Sequence, residues 1–249
     1  MKTIGYVCFS DPFNDKKAWS GSNLKLREGL ENAGYQVKWI PMNFSLPYKI
    51  WFKIVRFFEK GFVPVMQSTV GTWFFAKSIK KKDLEGCDYY FFPGHSHILR
   101  FVDVNKPVIY YTDCTFPLMI DYYWVIQAKW LEKQGIKNDR IGHEKSDLVI
   151  KSSDWAAQSA IKDFGIPEER VKVIEFGCSI PEENILDVPV YQGGELRIVF
   201  SGVEWDRKGT DIAIDTVKEL REKGYDARLY LCGIKIEDIP EEYRNRPYV

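Results

Sequence analysis

Short apolar runs recur along this chain, and stretches of helical periodicity separate them. Residues 3–9 (TIGYVCF), 36–42 (QVKWIPM), 88–93 (DYYFFP), 107–112 (PVIYYT), 148–151 (LVIK), 171–176 (VKVIEF), 196–200 (LRIVF) and 227–232 (ARLYLC) are rich in β-branched and aromatic side chains. Such near-continuous apolar runs suit parallel strands, which helices cover on both faces. Residues 22–33 lie between the first two runs and place Leu24, Leu26 and Leu30 on an apolar helical stripe, with Gly34 as the terminating glycine. A strand–helix–strand opening of this kind builds a right-handed parallel unit. The fold class expected is α/β, with a Rossmann-like parallel sheet.

Composition narrows the function classes. Thirty-five basic residues balance 35 acidic ones, so no global field favours nucleic acid. Cys8, Cys87, Cys114, Cys178 and Cys232 are odd in number and scattered. They read as free thiols of a reducing, cytoplasmic compartment. The N-terminal stretch lacks the pattern of a signal peptide, and no apolar run reaches the length of a transmembrane helix.

The stretch 200–210 (FSGVEWDRKGT) carries the clearest chemical signal. A strand stops at Ser201-Gly202, a polar loop follows, and Gly209-Thr210 opens a segment with Ile212, Ala213, Val217 and Leu220 at helical spacing. Thr210 or Asp211 is positioned to cap that helix. Arg207 and Lys208 stand where strand end and helix start converge, the place where α/β domains bind phosphate. The alternative is a solvated basic loop.

Other strand ends carry polar residues. Trp19-Ser20-Gly21-Ser22 precedes the first helix and is either an ordinary N-cap turn or part of a ligand loop. His95 and His97 follow the 88–93 strand, at the edge where open sheets place ligands; the alternative is that one caps the following helix and the other is solvated. No third or fourth ligand stands at metal-site spacing, so a metal is not expected. Asp113 follows the 107–112 strand and can bind acceptor hydroxyls, act as a base, or cap the segment that starts near Pro117. Residues 118–134 read as one long aromatic helix and 139–145 as a shorter one. Residues 46–65 combine Ile50, Ile54, Phe57 and Phe58 in one stripe with Lys49, Lys53, Arg56 and Lys60 interspersed. This is either a core helix with a wet basic edge or a helix that lies on an anionic membrane. A helix over 72–82 ends in Lys80-Lys81-Lys82, which would add to such a surface.

The strand, Gly202, polar loop, Lys208-Gly209 and the helix with Asp211, Ala213 and Leu220 together resemble the donor-binding signature of family 4 glycosyltransferases. The tract YYTDCTFP and the block SDLVIKSSDWAAQSAIKDFGIPEERVKVIEFG (146–177) resemble further segments of that family. One departure is Val203, where many members carry arginine, and Arg207 is the replacement cation. The resemblance implies a GT-B architecture: an acceptor-side domain over 1–178, a linker over 179–195 containing Pro181 and Pro189, and the beginning of a nucleotide-sugar-binding domain over 196–249. It implies a retaining transfer from a nucleotide-sugar to a saccharide or lipid-linked acceptor, without metal or other cofactor. Gly202, Arg207, Lys208 and Gly209 would bind the donor diphosphate, with Ser20 and Gly21 approaching it, and His97 and Asp113 would serve the acceptor. The later acidic motif of the family has no counterpart here, which implies a truncated chain with little activity of its own. A non-catalytic sugar- or nucleotide-binding module, or a half-enzyme needing a partner chain, is the competing expectation.

Overall fold

The computed structural model describes residues 1–59, 62–180, 182–185, 191–244, 246 and 248. Lys60, Pro181 and Pro189, which entered the sequence reading, lie outside them. The chain divides into two compact units, Met1–Pro181 and Glu182–Val249.

The first unit is built on six strands: β1 (Thr3–Cys8), β2 (Gln36–Pro41), β3 (Tyr89–Pro93), β4 (Val108–Thr112), β5 (Leu148–Lys151) and β6 (Val171–Val173). They form one parallel sheet in the order β2-β1-β3-β4-β5-β6. Side chains alternate between two apolar layers. Val7, Ile40, Phe92, Tyr110 and Val149 enter one, while Ile4, Tyr6, Phe91, Tyr111 and Ile150 enter the other. Burial on both faces is why these runs are apolar throughout.

The helices of this unit are α1 (Ser22–Asn32), α2 (Leu46–Val55), α3 (Phe62–Met66), α4 (Thr69–Ser78), α5 (Lys81–Leu84), α6 (Phe116–Met119), α7 (Lys129–Glu144) and α8 (Asp154–Lys162). Leu26 and Leu30 of α1 pack on the second apolar layer. The helix expected over 46–65 ends at Val55, and that expected over 72–82 starts at Thr69 and ends at Ser78. Ser45 caps the first and Ser68 the second, each side chain accepting a backbone N–H.

The region 116–144 departs most from expectation. Instead of a helix over 118–134, α6 stops at Met119 and the chain turns sharply, with Asp121 in the left-handed region at φ 58°. The Trp124 N–H donates to the Met119 carbonyl at 2.9 Å, and its ring lies 5.0 Å from that of Phe116. Burying the indole against Phe116 outweighs helical propensity here. The Glu59 carboxylate then accepts the N–H groups of Gln127 and Ala128 at 2.8 and 2.9 Å, just before α7 begins. One continuous helix follows, replacing the separate helix expected over 139–145.

Its buried residues are Leu131, Gly135, Asn138, Asp139, Gly142 and His143, a helical stripe with little apolar surface. At Gly135 the Phe116 ring occupies the space a Cβ would need, and at Gly142 Ser96 does. These glycines let α7 approach closely, and the polar residues between them find partners inside. Asn138 bonds Arg100 at 2.5 Å and the Gln67 carbonyl at 2.6 Å.

The second unit pairs β7 (Leu196–Ser201) and β8 (Ala227–Cys232) in parallel, with α9 (Trp205–Lys208) and α10 (Thr210–Glu222) between them. Ile214 and Val217 of α10 meet Ala227 and Leu229 in a small core. β7 alternates half-buried and exposed positions, and Val199 is 66% exposed. The strand is thus covered on one face only, not on both as its apolar run implied.

Candidate functional site

In the parallel sheet β1 has β2 on one side and β3 on the other. The connections therefore leave β1 and β3 in opposite directions, which opens a crevice at their C-terminal ends. A cavity of about 660 Å³ lies there. Phe9 and Ser10 after β1, Gly94, His95 and His97 after β3, and Asp113 to Phe116 after β4 contribute to its walls.

Aromatic rings supply much of the lining: Phe9, Phe44, Trp19, Tyr110, Phe116 and Trp124. Three further lining residues hold buried polar atoms without a hydrogen-bond partner, namely Oδ1 of Asn23, Oε1 of Gln67 and Nε2 of His97. A buried polar atom left unpaired costs about 1–3 kcal/mol. All three belong to residues that line this one cavity, which makes it the candidate ligand site.

His97 is buried, and burial together with neighbouring His95 lowers its pKa to about 3. Its imidazole is neutral at physiological pH. His95 is half-buried against Phe9, and burial lowers its pKa to about 4. Neither ring caps the 3₁₀ turn Ser96–Arg100 that follows, nor is His97 solvated. Asp113 is exposed at the rim, accepts from the Thr112 hydroxyl at 3.3 Å, and caps no helix.

The segment between Asp113 and α6 is held from behind. Lys151 is fully buried at the end of β5 and donates to the Cys114 carbonyl at 2.9 Å, its ammonium 5.0 Å from the Tyr110 ring centroid. Asp139 of α7 accepts the Phe116 N–H at 2.7 Å. The hydroxyls of Thr115 and Ser159 lie 2.6 Å apart. Burial lowers the Lys151 pKa to about 8 against the opposing charge of Asp139. Burial likewise raises the Asp139 pKa to about 6 against the opposing effects of Lys151 and the Phe116 N–H. Asp139 lines the cavity and is the carboxylate that the sequence reading overlooked as a site residue.

The loop Ala18–Gly21 forms another part of the wall. Trp19, Ser20 and Gly21 all have positive φ, at 49°, 55° and 89°. A bulky residue in the left-handed region is strained by about 1–2 kcal/mol. The Trp19 ring is held edge-on by Phe176 at 5.2 Å. This is not an ordinary N-cap turn: no side chain caps α1, and Gly21 stands as its N-cap. Ser20 is exposed and Gly21 buried beside Ser179.

The second unit brings Gly202, Arg207, Lys208 and Gly209 together at the ends of β7 and β8. The Gly202 N–H donates to the Cys232 carbonyl at 2.9 Å. The Lys208 side chain packs over Gly202, where a Cβ would come within 3.1 Å of Lys208 Cγ. Gly209 takes φ 68° to join α9 to α10, a turn that favours glycine. Lys208 is exposed, whereas the Arg207 guanidinium forks onto the Glu204 carboxylate at 2.7 and 2.8 Å. The Thr210 side chain does not cap α10 as expected; its hydroxyl donates to the Trp205 carbonyl at 3.2 Å. Among the described residues no cluster of three or more histidine, cysteine or acidic side chains could hold a metal ion.

No protein-family model and no curated protein matches the sequence. Among solved structures the fold is similar to one titled a crystal structure analysis of the glycotransferase of kitacinnamycin, with a TM-score of 0.52. The match covers 96% of this chain and 68% of that one at 10% identity. The two chains share an α/β fold built on a parallel sheet. The six-stranded parallel sheet of the first unit is Rossmann-like, consistent with a GT-B domain. At 10% identity the likeness concerns architecture and not substrate.

Proposed function

We propose that this chain transfers a sugar from a nucleotide-sugar donor to a hydroxyl of an acceptor held in the first unit, with retention at the anomeric carbon. The observation that carries the reading is the cavity at the β1/β3 crevice, with aromatic walls and three unpaired buried polar atoms. Two of these, the Asn23 and Gln67 oxygens, are acceptors, so the ligand donates hydrogen bonds from hydroxyl groups. Among the described residues the cavity lining contains no lysine or arginine. An acceptor with a largely apolar body and neutral hydroxyls, either a saccharide with an apolar face or the head of a lipid-linked sugar, suits it better than an anionic one. Neutral His97 then orients the reacting hydroxyl, and Asp113 or Asp139 receives its proton.

In this reading Lys208, with Gly202 and Gly209 permitting close backbone approach, stabilises the departing diphosphate. Arg207 contributes once its carboxylate partner is displaced. The scattered cysteines accord with a cytoplasmic setting. A non-catalytic nucleotide- or sugar-binding role is the competing reading, and turnover separates the two.

Calorimetric titration with UDP, GDP and ADP tests the donor site, and release of sugar from the matching nucleotide-sugar tests turnover. One nucleotide should bind and lose affinity in Lys208→Ala. Equal affinity in the folded variant removes the phosphate role. NMR of the product's anomeric proton tests retention.

A further inference from the structure

Helix α2 is apolar on two faces, and only one of them is buried. Tyr48 and Val55 are buried, and Tyr48 packs against Phe75 at 4.6 Å between ring centroids. The opposite face presents Leu46, Ile50 and Ile54 to solvent, and the turn after the helix continues it with Phe57 and Phe58. Their exposures are large: 71% for Leu46, 86% for Phe57 and 66% for Phe58. At 100° per residue, Lys49, Lys53 and Arg56 fall along one flank of this stripe, and all three are exposed. No acidic residue occurs between 43 and 58, and Glu59 is turned inward onto the entry of α7. α4 packs on the buried side of α2, where Tyr48 meets Phe74 and Phe75.

Core packing explains Tyr48 and Val55 and leaves the exposed stripe without a partner among the described residues. We infer that this face docks the chain on an anionic lipid surface, with the stripe at the headgroup–acyl boundary and the cations on the phosphates. Charge decides between possible occupants. A second copy of the same face would oppose Lys49, Lys53 and Arg56 to like charges, whereas an anionic bilayer offers both apolar depth and negative charge. The inference does not depend on the chain being a transferase. Among the described residues no helix is long and apolar enough to cross a membrane, so the contact is peripheral.

Flotation of the full chain with vesicles tests it. The protein should float with vesicles of equal parts phosphatidylcholine and phosphatidylglycerol and remain behind with phosphatidylcholine alone. Ile54→Ser/Phe57→Ser, checked for native circular dichroism, should lower partitioning at least about tenfold. Lys53→Gln should lower it about fivefold. Absence of flotation, or flotation unchanged in the double variant, overturns the inference. So does sedimentation showing a dimer that the double variant abolishes, without vesicle binding, because a second copy then covers the face.

Discussion

Two lysines, one ending strand β5 in the first unit and one ending helix α9 in the second, sit in opposite environments. Lys151 at the end of β5 is buried, held by the Cys114 carbonyl and facing Asp139. Lys208 in the second unit is exposed, with its stem over Gly202 and its ammonium in solvent. The first is part of what shapes a cavity wall. The second stabilises little in the fold and is available to an incoming charge. The same side chain is structural where burial commits it, and exposure leaves it uncommitted in the second unit.

The sharpest test of this contrast is stability. Lys151→Ala removes the charge facing buried Asp139 and should cost about 3–5 kcal/mol in urea unfolding. Lys208→Ala should change stability by less than about 0.5 kcal/mol. Equal effects would dissolve the comparison. The order reverses for ligand: Lys208→Ala should weaken binding of the preferred nucleotide by about 1.5–3 kcal/mol in calorimetry, the worth of a charge-assisted contact.

His97→Phe carries the contrast into the cavity. Its Nε2 has no partner, so an apolar ring of similar shape should leave the melting temperature unchanged or raise it. Sugar transfer should nevertheless fall about tenfold to hundredfold if the imidazole orients the acceptor hydroxyl. A parallel loss of stability and activity would mean the ring is structural.

A smaller effect concerns pH. The Asp139 carboxyl titrates near 6 in the fold, against about 3.9 when unfolded. Between those values the folded state binds more protons. This carboxyl therefore contributes stability in full below about pH 4, and the contribution is lost as pH rises through about 6. Asp139→Asn should flatten the stability profile in that window, as measured by urea midpoints across pH.

How much of this was legible in the residues depends on what the burial is made of. β3 and β4 announce themselves because both faces are buried, and His97 and Asp113 follow from their position just past strand ends. Asn23, Gln67 and Asp139 were invisible for the complementary reason: a polar residue in or beside a helix reads as a wet surface. Residues 116–128 misled because aromatic spacing suits a helix equally well, and nothing local reveals that Trp124 folds back onto Phe116. Gly135 looks like a helix breaker, yet its missing side chain is the space for a ring. In the second unit the apolar run of β7 promised two covered faces and received one.

The polar, glycine-bearing buried stripe of α7 also bears on the order of assembly. Two glycines lower its intrinsic helicity, and Asn138, Asp139 and His143 give it little reason to collapse onto apolar surface early. Its inward groups gain partners only once Gln67, Arg100 and Phe116 are in place. The helix is therefore expected to dock late, on a sheet already formed, and pulse-labelled hydrogen exchange during refolding should protect its amides after those of β1, β3 and β4. Because it brings Asp139 and, through Gly142, supports the turn that bears His97, the cavity is expected to close only when this helix docks. A nascent chain would therefore acquire its ligand pocket only after the scaffold beneath it is complete.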